Sequence, residues 1–274
     1  MNDALPPLRD VIARHGLGAD KSFGQHFLLD LNITRKIARA AGADAHDTII
    51  EVGPGPGGLT RALLETGALV IAVERDRRFI TALQELQTAF PGRLTIVEAD
   101  ALRIDETALS GGAPVKIVSN LPYNISTELL VKWLVANHCN ASPLWPQMTL
   151  MFQKEVADRI LAAPGSKTYG RLSVIAQAAS RPKRAFDLPA RAFTPPPKVD
   201  SSVVTFEPAP ERLPDIEALE RLTQAAFSQR RKMLRSSLRP LFGDATEARL
   251  AAAMIEPTKR AEELSVADFL RLLE

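Results

Sequence analysis

Between Thr48 and Phe152 the chain alternates short apolar runs with longer segments in which apolar residues recur at helical spacing. The runs are Thr48 to Val52, Leu69 to Val73, Leu94 to Val97, Val115 to Val118 and Met148 to Phe152. Apolar runs without polar alternation suit strands covered on both faces, and helical segments between them suit crossovers, so the pattern predicts an α/β fold around a mostly parallel sheet. Helices are predicted over Leu59 to Thr66, Arg77 to Ala89 and Ser126 to Asn137, the last with Ser126 as its N-cap. Two later runs, Arg184 to Leu188 and Ser202 to Glu207, are separated only by a loop holding Thr194-Pro195-Pro196-Pro197, which predicts an antiparallel pair and brings the sheet to seven strands. Beyond Pro208-Ala209-Pro210 the periodicity is helical through Glu274. The predicted organisation is an α/β domain over residues 1–208 and a small all-helical domain over residues 209–274.

Composition narrows the class. With 274 residues, 46% of them hydrophobic, the chain can fill one large core and a small one. No apolar run approaches membrane-spanning length, and Met1 to Asp20 lacks the apolar stretch of a signal peptide, so a cytoplasmic protein with no membrane partner is expected. The single cysteine, Cys139, excludes an internal disulfide, and with His138 it makes only two candidate metal ligands, so no metal is expected. Net charge is +2, yet Arg221 to Pro240 holds six basic side chains and no acid. Charge segregated in this way predicts a polyanionic partner. A basic helix from Arg221 to Arg239, packed through Leu222, Ala226, Met233 and Leu238, would offer Arg230, Arg231, Lys232 and Arg235 to the phosphates of such a partner, which the resemblance given below implies is RNA.

Two motifs carry candidate chemistry. Asn120-Leu121-Pro122-Tyr123 follows the fourth run, placing it at the carboxyl end of a strand, where open α/β sheets bind ligands. An amine conjugated to an aromatic base is a weak nucleophile because its lone pair is shared with the ring. The Asn120 side-chain oxygen and a backbone carbonyl at Leu121 or Pro122 would accept its two N–H bonds and draw the nitrogen towards a reactive, tetrahedral shape. Pro122 withholds an amide and stiffens the turn, and Tyr123 offers a face for stacking. A strand end closed by an Asn-and-Pro turn accounts for the same four residues more plainly.

The second motif, Glu51-Val52-Gly53-Pro54-Gly55-Pro56-Gly57-Gly58, closes the first strand and opens a helix. Gly53, Gly55 and Gly58 also satisfy a dinucleotide fingerprint, with Glu74 at about the right distance for a ribose, so a nicotinamide enzyme stays open on these residues. Two features favour S-adenosylmethionine instead. Glu51, Glu74 and Asp100 form an acidic set at successive strand ends, suited to a cationic sulfonium nucleoside, and Pro54 and Pro56 remove amides that a pyrophosphate would use. In that reading Glu74 takes the ribose hydroxyls and Asp100 lies near the adenine amine.

Taken in order, several segments resemble the ribosomal RNA adenine N6,N6-dimethyltransferases, specifically the small-subunit dimethyladenosine transferase family. They are Lys21-Ser22-Phe23-Gly24-Gln25-His26-Phe27-Leu28, the glycine loop, Asn120 to Ser126, Gln153-Lys154-Glu155-Val156, Tyr169 to Val174, Phe193 to Val199 and Gln229 to Arg235, covering nearly the whole chain. The resemblance implies a Rossmann-like methyltransferase domain followed by a helical RNA-binding domain. It implies dimethylation of adenosines in small-subunit ribosomal RNA, on two adjacent adenosines late in 30S assembly, by a monomer.

The resemblance also implies residue roles. Gly24 to Leu28 would fold over the cofactor and set His26 and Leu28 beside its methionine part, with Gly53, Glu74, Asp100 and Asn120 completing the cofactor site. Similar enzymes often have Asn where His26 stands. Phe193 would face Tyr123 across the target adenine. Competing readings are a large-subunit resistance methyltransferase, a DNA adenine methyltransferase, from which Leu121 departs, and a non-catalytic relative of the same fold.

Overall fold

Residues 5–18, 25–139 and 142–274 are described by the computed structural model. Among them the strands are β1 (Phe27–Leu28), β2 (Thr48–Val52), β3 (Leu69–Glu74), β4 (Leu94–Glu98), β5 (Lys116–Asn120), β6 (Met148–Gln153), β7 (Ser180–Leu188), β8 (Phe193–Thr194) and β9 (Ser201–Pro208). Seven of these build one sheet in the order β4-β3-β2-β5-β6-β9-β7. The first five are mutually parallel, and β9 runs antiparallel between β6 and β7. All seven expected strands are present; β5 starts one residue later than the fourth run and ends two later, taking in Asn120 of the motif, and β7 starts four residues earlier than expected, at Ser180.

The central strands lack polar alternation because both of their faces are covered. Ile49 and Ile50 illustrate this, one facing each helical layer. On one side Ile49, Val70, Val118 and Met151 meet the helices Leu31–Ala40, Gly58–Glu65 and Ile80–Ala89. On the other, Ile50, Ile117, Leu150 and Val204 meet Ser126–Cys139, Lys154–Ile160 and Arg171–Ala179 around Trp133 and Trp145. Strand β7 lies at the sheet's edge and does alternate, with Arg181 and Lys183 exposed. Charged side chains there oppose edge-to-edge pairing with another chain.

Two local expectations are corrected. Ser126 is the first helical residue rather than the N-cap, and its hydroxyl donates back to the Tyr123 carbonyl, closing the turn that carries the socket motif. The basic stretch is not one helix. Ile216–Phe227 ends inside it, after covering Arg221, and the next helix spans only Leu234–Ser237. Between them the Lys232 amide bonds within a turn to Gln229, and the Leu234 and Arg235 amides donate to the carbonyls of Lys259 and Pro257. Tertiary pairing with Pro257–Arg260 therefore overrides helix continuation, and Met233, expected inside, is exposed.

The helices after Pro208 do not enclose a core of their own. Leu219, Leu222, Leu234, Leu250 and Phe269 pack with Tyr169, Val174 and Ala178, which belong to or precede the helix Arg171–Ala179. His138 helps tie this region to the sheet layer, its Nε2 donating to the Ala179 carbonyl while its Nδ1 accepts the Leu213 amide. Both ring nitrogens are thus engaged away from Cys139, which is exposed. No helix among the described residues is long and apolar enough to cross a membrane.

Candidate active site

The strand order reverses between β2 and β5, so the connections leaving their carboxyl ends go to opposite sides and leave a crevice between them. The β2–β5 ladder stops early, at Ile49↔Lys116 and Ile50↔Ile117. Past that point the Ser119 hydroxyl takes over the cross-strand bond by donating to the Val52 carbonyl. The two loops that follow touch at their roots, since a Cβ on Gly53 would stand 3.3 Å from the Pro122 ring. The resulting pocket is lined by both loops, by Gln25 to Leu28 from above, and by Glu74, Arg75 and Asp100 from the side.

The glycine loop has no amide to offer a phosphate between Gly53 and Gly57. Gly53 donates to the Val73 carbonyl, Gly55 to Glu74 Oε2 and Gly57 to the Pro54 carbonyl, while Pro54 and Pro56 have no N–H. Gly53, Gly55 and Gly57 all have positive φ, which allows this inward curl. The start of the following helix is covered as well, because a Cβ on Gly58 would fall 2.6 Å from the Leu28 carbonyl oxygen. A pyrophosphate needs such amides at a helix start. The dinucleotide reading therefore fails on this geometry.

Three carboxyl groups face the pocket in different states. Glu51 is 1% exposed and its Oε2 has no hydrogen-bond partner. Burial, with repulsion from Glu74 added, pushes its carboxyl up to about 8. Glu74 accepts the amides of Gly55 (3.1 Å) and Asp76 (2.7 Å), and burial still raises its pKa because it outweighs those bonds. Asp100 accepts the Leu102 amide at 3.1 Å and stands 3.3 Å from Arg75 Nη1. Arg75 was not foreseen, although it directly follows Glu74 at the end of β3.

The socket motif is assembled on the opposite wall. Asn120 Nδ2 donates to the His26 carbonyl at 3.1 Å, which commits the amide end of the side chain and leaves Oδ1 as the free acceptor. The Pro122 carbonyl accepts the Ile125 amide, so the Leu121 carbonyl is the better placed second acceptor. Tyr123 is held by a 2.6 Å hydrogen bond between its hydroxyl and Ser201 Oγ, and burial raises its phenol above the ordinary range. The His26 ring lies against it, with centroids 5.4 Å apart and planes tilted by 30°. His26 Nδ1 donates to the Pro195 carbonyl at 2.8 Å. Neither Ser201 nor Pro195 was legible as a partner, since no local pattern links positions so far apart in sequence.

His26, Leu28, Gly53, Glu74, Asp100, Asn120, Leu121, Pro122 and Tyr123 are brought to one pocket. Phe193 is not. It pairs with Leu28 across the two-stranded β1–β8 sheet and is 2% exposed, packed in the core with no face open to a base. The basic cluster is also divided. Arg230 donates to Glu262 at 2.7 Å and to the carbonyls of Lys167 and Tyr169, so it acts as a structural clamp. Arg231, Lys232 and Arg235 are exposed on the turn and short helix beside it. Elsewhere in the basic stretch, Arg221 lies near Asp215 and Glu217, and Arg239 near Asp244, so acids absent from the stretch reach it in space. Lys21 to Gly24 lie outside the described residues. Among the described residues, no group of three His, Cys, Asp or Glu side chains could hold a metal ion.

The family model described as ribosomal RNA adenine dimethylase matches residues 17–274. A ribosomal RNA small subunit methyltransferase A from Phenylobacterium zucineum is 59% identical, over 99% of this chain and 93% of that protein. One from Mesorhizobium japonicum is 58% identical, over 98% of each. Among solved structures, a dimethyladenosine transferase from Plasmodium falciparum superposes with a TM-score of 0.74 at 27% identity, over 90% of this chain and 96% of that one. The 23S rRNA methyltransferase ErmE gives 0.67 at 25%, over 90% and 97%. On sequence across nearly its whole length, and on a Rossmann-like fold that these structures share, the chain belongs to the ribosomal RNA adenine dimethylase family, S-adenosylmethionine-dependent methyltransferases.

Proposed function

We propose that the chain transfers methyl groups from S-adenosylmethionine to N6 of adenosines in small-subunit ribosomal RNA. The product is N6,N6-dimethyladenosine on two adjacent adenosines, made late in 30S assembly by a cytoplasmic monomer. The observation that carries the reading is Asn120, whose amide end is occupied by His26 and whose Oδ1 is free beside an acidic pocket. The small-subunit name of relatives at 58–59% identity, against 25% for the large-subunit enzyme, favours the small-subunit substrate.

The pocket suits the cofactor by its own chemistry. It presents carboxyl groups from Glu51, Glu74 and Asp100 and offers no phosphate-binding amides from Gly53 to Gly57. Glu74 would hold the ribose hydroxyls, since each of its oxygens keeps a lone pair beyond the amide it accepts, and Asp100 would take the adenine amine. Gly53, His26 and Leu28 would close over the rest. When bound, the cofactor supplies an electrophilic methyl group on a cationic sulfur.

On the substrate side the residues position rather than deprotonate. Asn120 Oδ1 and the Leu121 carbonyl accept the amine's hydrogens, freeing the lone pair for attack, and Tyr123 stacks on the base. The proton leaves after transfer, so no strong base is required, and proximity supplies much of the rate. The base must leave its stack, at a cost of a few kcal/mol that stacking on Tyr123, about 1 to 3 kcal/mol, largely offsets. Residues 209–274 would serve as the RNA-binding unit, with Arg231, Lys232 and Arg235 on phosphates and Arg230 holding them in place.

The test is transfer of labelled methyl groups from S-adenosylmethionine to small subunits lacking the modification, with large subunits and naked DNA in parallel. Dimethyladenosine in small-subunit RNA alone is the expected result. Label in the large subunit would move the chain to the resistance enzymes, and bound cofactor without any transfer would make it a binding protein.

A further inference from the structure

His26 touches three parts of the site at once. Its Nδ1 donates to the Pro195 carbonyl 169 residues away, its own carbonyl accepts from Asn120 Nδ2, and its ring lies against Tyr123. A carbonyl only accepts, so Nδ1 carries the hydrogen. The next two residues, Phe27 and Leu28, pair with Thr194 and Phe193 and form part of the pocket wall over the glycine loop. An Asn carboxamide takes whichever orientation its hydrogen bonds dictate, because its two ends are nearly the same shape. Here only one of those ends is tied, and it is tied to His26.

We infer that His26 is a positioning residue for the amine acceptor: its imidazole, anchored on Pro195, holds the backbone carbonyl that turns Asn120 Oδ1 towards the substrate amine. Laying the β1 segment over the cofactor and readying the socket are then a single event. The inference rests on the reading that Asn120 receives the target amine, and it gives His26 a task beyond contact with the cofactor. An Asn at this position would carry its Nδ2 on the same carbon as His Nδ1 and could make the same anchor. An Ala could not.

The experiment compares His26→Ala and His26→Asn with the parent protein in three measurements. These are S-adenosylhomocysteine affinity by calorimetry, the side-chain amide signals of Asn120 in nitrogen-15-labelled protein, assigned with Asn120→Asp, and methyl transfer at saturating cofactor and RNA. In His26→Ala the two Asn120 amide signals are expected to lose their distinct shifts and protection from exchange. Turnover should fall about fivefold or more, the factor that one lost hydrogen bond of ordinary worth gives. S-adenosylhomocysteine affinity should fall by a smaller factor than turnover, since His26 also closes over the cofactor while turnover is read with cofactor saturating. His26→Asn should restore both the signals and the turnover. A loss of turnover that merely follows lost cofactor affinity, or unchanged Asn120 signals in His26→Ala, would overturn the assignment. Absence of transfer by the parent protein would instead count against the proposed function, while the amide signals would still decide the role of His26.

Discussion

At the scale of single residues, the site depends on groups whose ordinary behaviour is changed by burial. Asn120 is expected to be the most sensitive. Asn120→Ala removes the free side-chain acceptor of the socket motif and should lower kcat/KM by roughly 5- to 150-fold, about 1–3 kcal/mol, with S-adenosylhomocysteine affinity much less affected. Normal turnover in that variant would remove it from the reaction. Glu51 makes a prediction about pH. Its carboxyl titrates near 8 in the folded chain against an ordinary value of 4.5, so between those values the folded state holds a proton that the unfolded chain has released. Folding of the cofactor-free protein should therefore become less favourable as pH rises from about 5 to 8. Glu51→Gln cannot ionise and should flatten that part of the Tm-against-pH curve. An equal slope in both proteins would show that Glu51 is charged in the fold.

At the scale of elements, the small β1–β8 sheet decides what Phe193 does. With Phe193 buried against Leu28, Phe193→Ala should leave a cavity worth about 3–5 kcal/mol of stability and should weaken cofactor binding along with turnover. Lost turnover at unchanged Tm and cofactor affinity would instead mean that Phe193 swings out to stack on the base. Neither strand of this sheet was legible in the sequence, because two residues are too few to show a period. The five parallel strands of the main sheet were legible because cover on both faces leaves unbroken apolar runs, whereas β7 alternates at the sheet's edge and only its second half, Arg184 to Leu188, could be read. The glycine loop was legible as a ligand loop, but its choice against phosphate depended on Gly55 donating to Glu74, a contact that only the fold creates. The break after Phe227 was hidden for the same reason, since the pull of Pro257–Arg260 on Leu234 and Arg235 leaves no mark in the local pattern.

At the scale of the whole molecule, the basic stretch separates into a part that holds the C-terminal helices and a part that faces outward. Arg230→Ala should lower Tm by breaking the bonds to Glu262, Lys167 and Tyr169. Replacing Arg231, Lys232 and Arg235 together by Ala should leave Tm near that of the parent. The substitution should instead flatten the salt dependence of RNA binding by about 0.7–0.9 in log–log slope for each phosphate left without its cation. A fall in Tm in the triple variant, or an unchanged slope, would remove that surface from the RNA interface. The placement of β9 has a consequence in time. Strand β7 is made before β9, yet its partner in the sheet is β9, and one edge of β6 also waits for it. During synthesis, two strands with unsatisfied edges must be carried until Ser201–Pro208 emerges, which exposes the growing chain to mispairing. Pro195 and Ser201, the distant anchors of His26 and Tyr123, arrive with the same late segment. An unfinished chain therefore lacks the groups that hold its socket in place.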